Sequence, residues 1–227
     1  MCFSATASFS AGVLLLGIGA LTLKAASCPR EWPSAAIPLL FAIQQLIEGV
    51  IWLTFSDEAP LLNSVMTHAY SFFSHVLWPA YVPLAVWLIE PPGRRRQVLL
   101  VFTTGGFAIG IYLLYILMAF PIVSRPTGQH IEYVSPHFFV GVTMTLYLLS
   151  TTTSPLLSTH RMVKVFGALA LLAFGAAYAF YAQWFISVWC LFAALLSAVI
   201  YLHFALPRGD GFNSHRVENR SATPASN

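Results

Sequence analysis

Seven stretches of mainly apolar residues set the first limit on this chain, because a helix needs about 20 such residues to cross roughly 30 Å of hydrocarbon. They run Ser8–Ala26, Ala35–Thr54, Thr67–Glu90, Val98–Phe120, Pro136–Leu157, Val163–Gln183 and Trp184–Leu206. The last two meet through Tyr181-Ala182-Gln183-Trp184, which demands a tight turn, and six spans with one broken helix is the rival count. Composition agrees with a membrane setting: 58% of the 227 residues are hydrophobic and only 8% are charged, against roughly 25% charged in soluble domains. Eleven Lys and Arg spread along the chain make no groove for nucleic acid, and three cysteines, an odd number, exclude a disulfide-stapled secreted fold. The expected fold is all-α, an integral membrane bundle of seven transmembrane helices over residues 1–206. A disordered cytoplasmic tail follows over 207–227.

Basic residues orient the bundle. Lys24, Arg30, Arg94, Arg95, Arg96, Arg161, Lys164, Arg208, Arg216 and Arg220 all fall on one side of a seven-span chain, leaving only Arg125 on the other. Lys and Arg collect in cytoplasmic loops, so the N-terminus is expected outside and the tail inside. An even count would put the tail's arginines outside. The stretch Met1 to Leu23 carries no Lys or Arg, which a secretory signal would need ahead of its apolar run, so it reads as a retained span. Gly106-xxx-Gly110 and Gly175-xxx-Ala179 are the expected close-packing points between helices.

An ionisable side chain within a span costs about 2.5–3.5 kcal/mol on insertion scales, so Glu48 needs a reason. It sits about 9 Å below the expected outer surface at 1.5 Å per residue. Gln44, Glu48 and Trp52 repeat every four residues, with Gln45 beside them, on one helix face. On the next span His68, Ser71, His75 and Trp78 are spaced by three, four and three, which predicts a matching stripe at similar depth. Pro79 removes a donor and clashes four residues back, so a kink and a free carbonyl are expected at His75. His137, after a Ser135-Pro136 helix start, and His130 and Glu132 in the outer loop complete the outer set. Cys190 lies at about the depth of Glu48, and Cys2 is a free thiol, a ligand or a partner for Cys190.

Three chemistries suit these residues. In the first, His68, His75 and His137 bind zinc in the outer half while Glu48 is a ligand or general base, giving a metal-dependent intramembrane hydrolase acting on a lipid-like or small substrate. In the second, Glu48 and His75 form a metal-free proton relay in a small-molecule transporter or ligand sensor. The third is a polar core that sets helix register in a non-catalytic scaffold. In each the pocket is lined by Gln44, Gln45, Trp52, Ser71, Trp78 and Cys190.

Known seven-helix classes give limited guidance. A microbial rhodopsin needs a lysine in its last helix, and Lys24 and Lys164 are the only lysines here. The Ser74-His75 pair and intramembrane carboxylate are similar in architecture to the alkaline ceramidase and adiponectin-receptor superfamily. The last helix lacks that superfamily's paired histidines, however, and no Asp lies within a span. Other segments resemble a bacterial membrane family of unassigned function. They are the opening Met-Cys-Phe-Ser-Ala-Thr-Ala-Ser-Phe, Gln44-Gln45-Leu-Ile-Glu48-Gly49-Val-Ile-Trp52, Ser74-His75-Val-Leu-Trp78-Pro79, and the run from Ser187 through Cys190 to Ser197. That resemblance implies an inner-membrane protein and no particular substrate.

Overall fold

The computed structural model describes residues 4–134, 140–181 and 185–206; Cys2, His137, Trp184 and the tail lie outside the described residues. Helix α1 (Ala5–Ala25) starts where the Ser4 hydroxyl accepts the Ala7 N–H at 3.2 Å, filling one of the free donors of the first turn. Its buried positions Ser8, Gly12, Leu15, Gly19 and Thr22 alternate four and three apart, one helical stripe. That stripe packs on α3 (Ile37–Ser56). A Cβ on Gly19 would come within 2.8 Å of the Leu39 backbone nitrogen, so the two backbones nearly touch. Before α3 come a turn at Pro29–Glu31 and the short α2 (Trp32–Ala35), tied to a later helix by Ser34 Oγ donating to the Ala85 carbonyl and Tyr81 OH to that of Pro33, both at 2.9 Å.

The third expected span is one continuous helix in three parts: α4 (Pro60–Ser71), a π-helical turn at Phe72–Leu77, and α5 (Trp78–Ile89). Pro79 explains the wide turn. It has no N–H, and the Trp78 N–H reaches back five residues to the Phe73 carbonyl. The carbonyl thereby left over is that of Ser74, one residue before the expected position, and it accepts the Tyr147 hydroxyl at 2.6 Å. Helix α6 (Arg94–Ala119) runs alongside. A Cβ on Gly106 would overlap the Pro79 carbonyl oxygen, and one on Gly110 would lie 3.0 Å from that of Val76. The Gly106-xxx-Gly110 expectation is therefore met. The one at Gly175 is not: nothing lies within 4 Å of its Cβ position, and Ala179 is exposed.

Beyond α6 the chain departs from an all-helical plan. Strands β1 (Val123–Thr127) and β2 (His130–Val134) form an antiparallel hairpin where a loop was expected. Gly128, at φ 61°, opens its two-residue turn, a backbone region that residues with a Cβ avoid. The chain resumes as α7 (Val140–Leu148), a second π-helical turn (Leu149–Thr153) and α8 (Ser154–Leu157), then α9 (Arg161–Tyr181), α10 (Phe185–Leu196) and α11 (Ala198–Ala205).

Six helices among the described residues are long and apolar enough to cross a membrane: 5–25, 29–56, 60–89, 94–119, 161–180 and 188–205. They follow six of the seven expected spans, although the second and third begin well before the expected Ala35 and Thr67. The remaining one, Val140–Leu157, is helical but carries Ser150-Thr151-Thr152-Thr153-Ser154, which lowers its hydropathy. Aromatic rings fill the centre. Phe41 stacks on Trp78 with centroids 3.8 Å apart, and Trp189 meets Tyr147 and Phe174 edge-on.

Candidate functional site

The polar residues of α3 converge near the end of the bundle that bears the hairpin. Gln44, Gln45 and Glu48 are each fully buried (0% exposed). Burying an amide without partners costs about 2–7 kcal/mol by transfer scales, so such a cluster needs compensation. Gln44 has it in part: its Oε1 accepts the Trp78 indole N–H at 2.7 Å, joining α3 to α5. The thiol of Cys190 on α10 lies in hydrogen-bonding reach of Gln44 and of Tyr70 on α4, and near enough to Glu48 to feel its charge. Cys190 is a free thiol among the described residues. Thus α3, α4, α5 and α10 meet around the carboxyl group.

The hairpin closes this end. Ile131, Tyr133, Tyr70, Ile51 and Cys190 form one buried apolar cluster, with Trp52 packed against it. Tyr133 stacks on Tyr70 with centroids 4.5 Å apart and planes 4° from parallel. A chain of polar contacts ties β1 to the helices. Thr67 Oγ1 donates to Ser124 Oγ (2.8 Å), Ser124 Oγ to Asn63 Oδ1 (3.0 Å), and Asn63 Nδ2 to Thr54 Oγ1 (2.8 Å). His130, only 8% exposed, begins β2, and burial lowers its pKa below the usual imidazole value.

Polar atoms remain unpaired inside. Both amide atoms of Gln45, Nε2 of Gln44, the Trp52 indole N–H and the hydroxyls of Ser71 and Ser8 are buried with no hydrogen-bond partner. Native interiors pair nearly all such groups, which makes this concentration around Glu48 the distinguishing feature of the site.

The histidines are arranged otherwise than expected. The buried face of the third span runs Thr67, Tyr70, Ser71, Ser74 and Trp78. His68 and His75 are left half-buried on its flank. Nδ1 of His68 sits 2.8 Å from the Ser64 carbonyl; Nδ1 of His75 sits 2.8 Å from Ser74 Oγ and 3.2 Å from the Ser71 carbonyl. Among the described residues no three His, Cys, Asp or Glu side chains are gathered to hold a metal ion, and His137 lies outside them.

A family model described as Family of unknown function (DUF6629) matches residues 1–211. The chain belongs to this family. No curated protein and no solved structure matches it. Every residue of the buried cluster in this DUF6629 chain lies within the matched stretch. Sequence reasoning missed Tyr70, Tyr133, Asn63, Thr67 and Ser124. The signal was Pro126-Thr127-Gly128 between the apolar pairs Ile122-Val123 and Tyr133-Val134, a hairpin pattern read as a plain loop. It also missed Glu90, at the opposite end, which is 2% exposed.

Proposed function

We propose that this chain is a seven-span inner-membrane protein, N-terminus outside, that binds a small polar molecule beneath the hairpin and links binding to protonation of Glu48. It acts as a proton-coupled carrier or a ligand sensor without a metal. The observation that carries this reading is the fully buried, unpartnered amide of Gln45 beside the buried Glu48, flanked by the unpaired donors of Gln44 and Trp52. Such groups are ready-made partners for a polar guest, and water exclusion strengthens each bond that a guest makes. The seventh span rests on the continuous helix from Val140 to Leu157 and on the one-sided distribution of Lys and Arg.

Trp52 and Trp78 flank the site and report on it. Tryptophan emission of the purified protein should change with pH as Glu48 titrates, and Glu48→Gln should abolish the change. A variant whose emission follows pH as the native protein does would refute the reading. A zinc hydrolase would require His68 and His75 to leave the backbone carbonyls beside them and meet His137 and Glu48. Less than about a tenth of an atom of metal per chain after chelator-free purification would remove that alternative, since a catalytic site keeps its ion. Absence of a pH response in the native protein, with neither metal nor ligand dependence, would leave only a scaffold.

A further inference from the structure

We propose that the bundle contains a proton path from Glu48 to Glu90, a second buried carboxyl group at the opposite end. This rests on the proton-linked reading of Glu48 and extends it across the molecule. Tyr70, which with Glu48 flanks Cys190, and Glu90 are separated by about twenty residues of one helix, so the carboxyls lie about 30 Å apart along the axis. A carboxyl at each end and nothing polar between would suggest two unrelated caps. Here the interval holds a series of buried hydroxyls.

Its middle is one face of the least apolar span. Tyr147, Thr151, Ser154 and Ser158 are spaced four, three and four apart, and all are buried, Ser154 and Ser158 fully. The series ends on Glu90: the Ser158 hydroxyl donates to its Oε2 at 2.9 Å, and the Thr159 N–H to both its oxygens at 3.1 and 3.0 Å. At the other end Tyr147 OH donates to the Ser74 carbonyl released by the first π turn, and the second π turn lies within the series, at Thr151. Between Thr151 and the Glu48 cluster lies a cavity of about 30 Å³, lined by Tyr147, Thr151, Trp78 and Cys190 among others, which is room for one water. Cys190 completes the link, since its thiol neighbours Gln44, Tyr70 and Glu48.

Transfer needs no oxidant and no heavy-atom bond change. A proton arriving on the Glu48 carboxylate passes on as each S–H or O–H gives its hydrogen to the next oxygen and takes one from behind. The last hop leaves Glu90 as the carboxylic acid, which releases the proton at its own face. One proton and one positive charge cross per event. The groups around Glu90 are Ser158, Thr159 and His160, whose Nε2 lies 3.1 Å from the Ile89 carbonyl, with His203 stacked on His160 at 4.8 Å. The cavity walls are largely aromatic, and Thr151 and Ser154 now donate to carbonyls of their own helix. Passage is therefore a slow flux, not a channel current.

The test reconstitutes the purified chain in phosphatidylcholine–phosphatidylglycerol vesicles holding a trapped pH dye, with the potential clamped by potassium and valinomycin. After acidification outside, native vesicles should acidify several-fold faster than protein-free ones. Glu90→Gln and Thr151→Val should bring the rate near the protein-free value, while Thr151→Ser, which keeps the hydroxyl, should retain it. Native flux at the protein-free level, or flux unaltered by both Glu90→Gln and Thr151→Val, overturns the path. If flux ignores Glu90 while the tryptophan response still vanishes in Glu48→Gln, the path fails and the outer site stands. If the response survives Glu48→Gln, the outer site itself fails.

Discussion

At the scale of single residues, Gln45 separates a structural demand from a functional one. Its amide is buried without partners, so replacing it with Met, of similar volume, removes an uncompensated desolvation penalty. Gln45→Met should raise the stability of the unliganded protein by about 1 kcal/mol, read from thermal unfolding in detergent. A loss of that size instead would mean that the amide is already satisfied in the native state. Glu48 and its neighbours were legible in the sequence because a carboxyl in a span is costly wherever it points, and four-residue spacing fixes its face. His75 was not, because spacings of three and four fit both the stripe through His68 and His75 and the buried one through Thr67, Ser71, Ser74 and Trp78. Spacing alone does not choose between neighbouring stripes of one helix.

At the scale of elements, the two π turns and the hairpin set the geometry that helical periodicity could not supply. Just beyond the first π turn, at the start of α5, the Pro79 carbonyl lies against Gly106 at a distance that excludes a side chain. Gly106→Ala should cost about 1–3 kcal/mol through forced backbone shifts, whereas Gly105→Ala, with nothing within 4 Å of its Cβ position, should stay within about 0.5 kcal/mol. Unfolding of both variants in one detergent compares them, and equal losses would discount the contact. The hairpin has a pH dependence of determinable sign. Burial lowers the His130 pKa, so a detached strand takes up protons more readily than a seated one. Seating is strongest above about pH 6.5, the ordinary imidazole value, and weakens as pH falls towards the lowered one. Maleimide labelling of buried Cys190 relative to exposed Cys28 should therefore rise between about pH 7.5 and 5.5. The ratio should stay level in His130→Asn; a level ratio in the native protein would refute the linkage. The hairpin escaped sequence reading because five-residue strands with Arg125 and Glu132 facing each other in register give too short an alternation to stand out from a polar loop.

At the scale of the whole molecule, six of seven expected spans have the length and hydropathy to cross a membrane, and the orientation can be tested by sidedness. Cys28 is exposed in the link between α1 and α2, at the end of the bundle opposite the hairpin. In a Cys2→Ser background, an impermeant maleimide should reach Cys28 only in inverted vesicles and a Gln129→Cys label only in right-side-out ones. The opposite pattern would reverse the assignment of sides. The arrangement of the site also has a consequence for biosynthesis. Gln44, Gln45 and Glu48 lie on α3, made early, while Tyr133 and Cys190, which cover and contact them, are made late. A ribosome must therefore extend the chain by well over a hundred residues while this polar face waits in or beside the bilayer. Nascent chains stopped before α10 would present an unshielded carboxyl to lipid, the mark by which membrane quality control recognises an unfinished product.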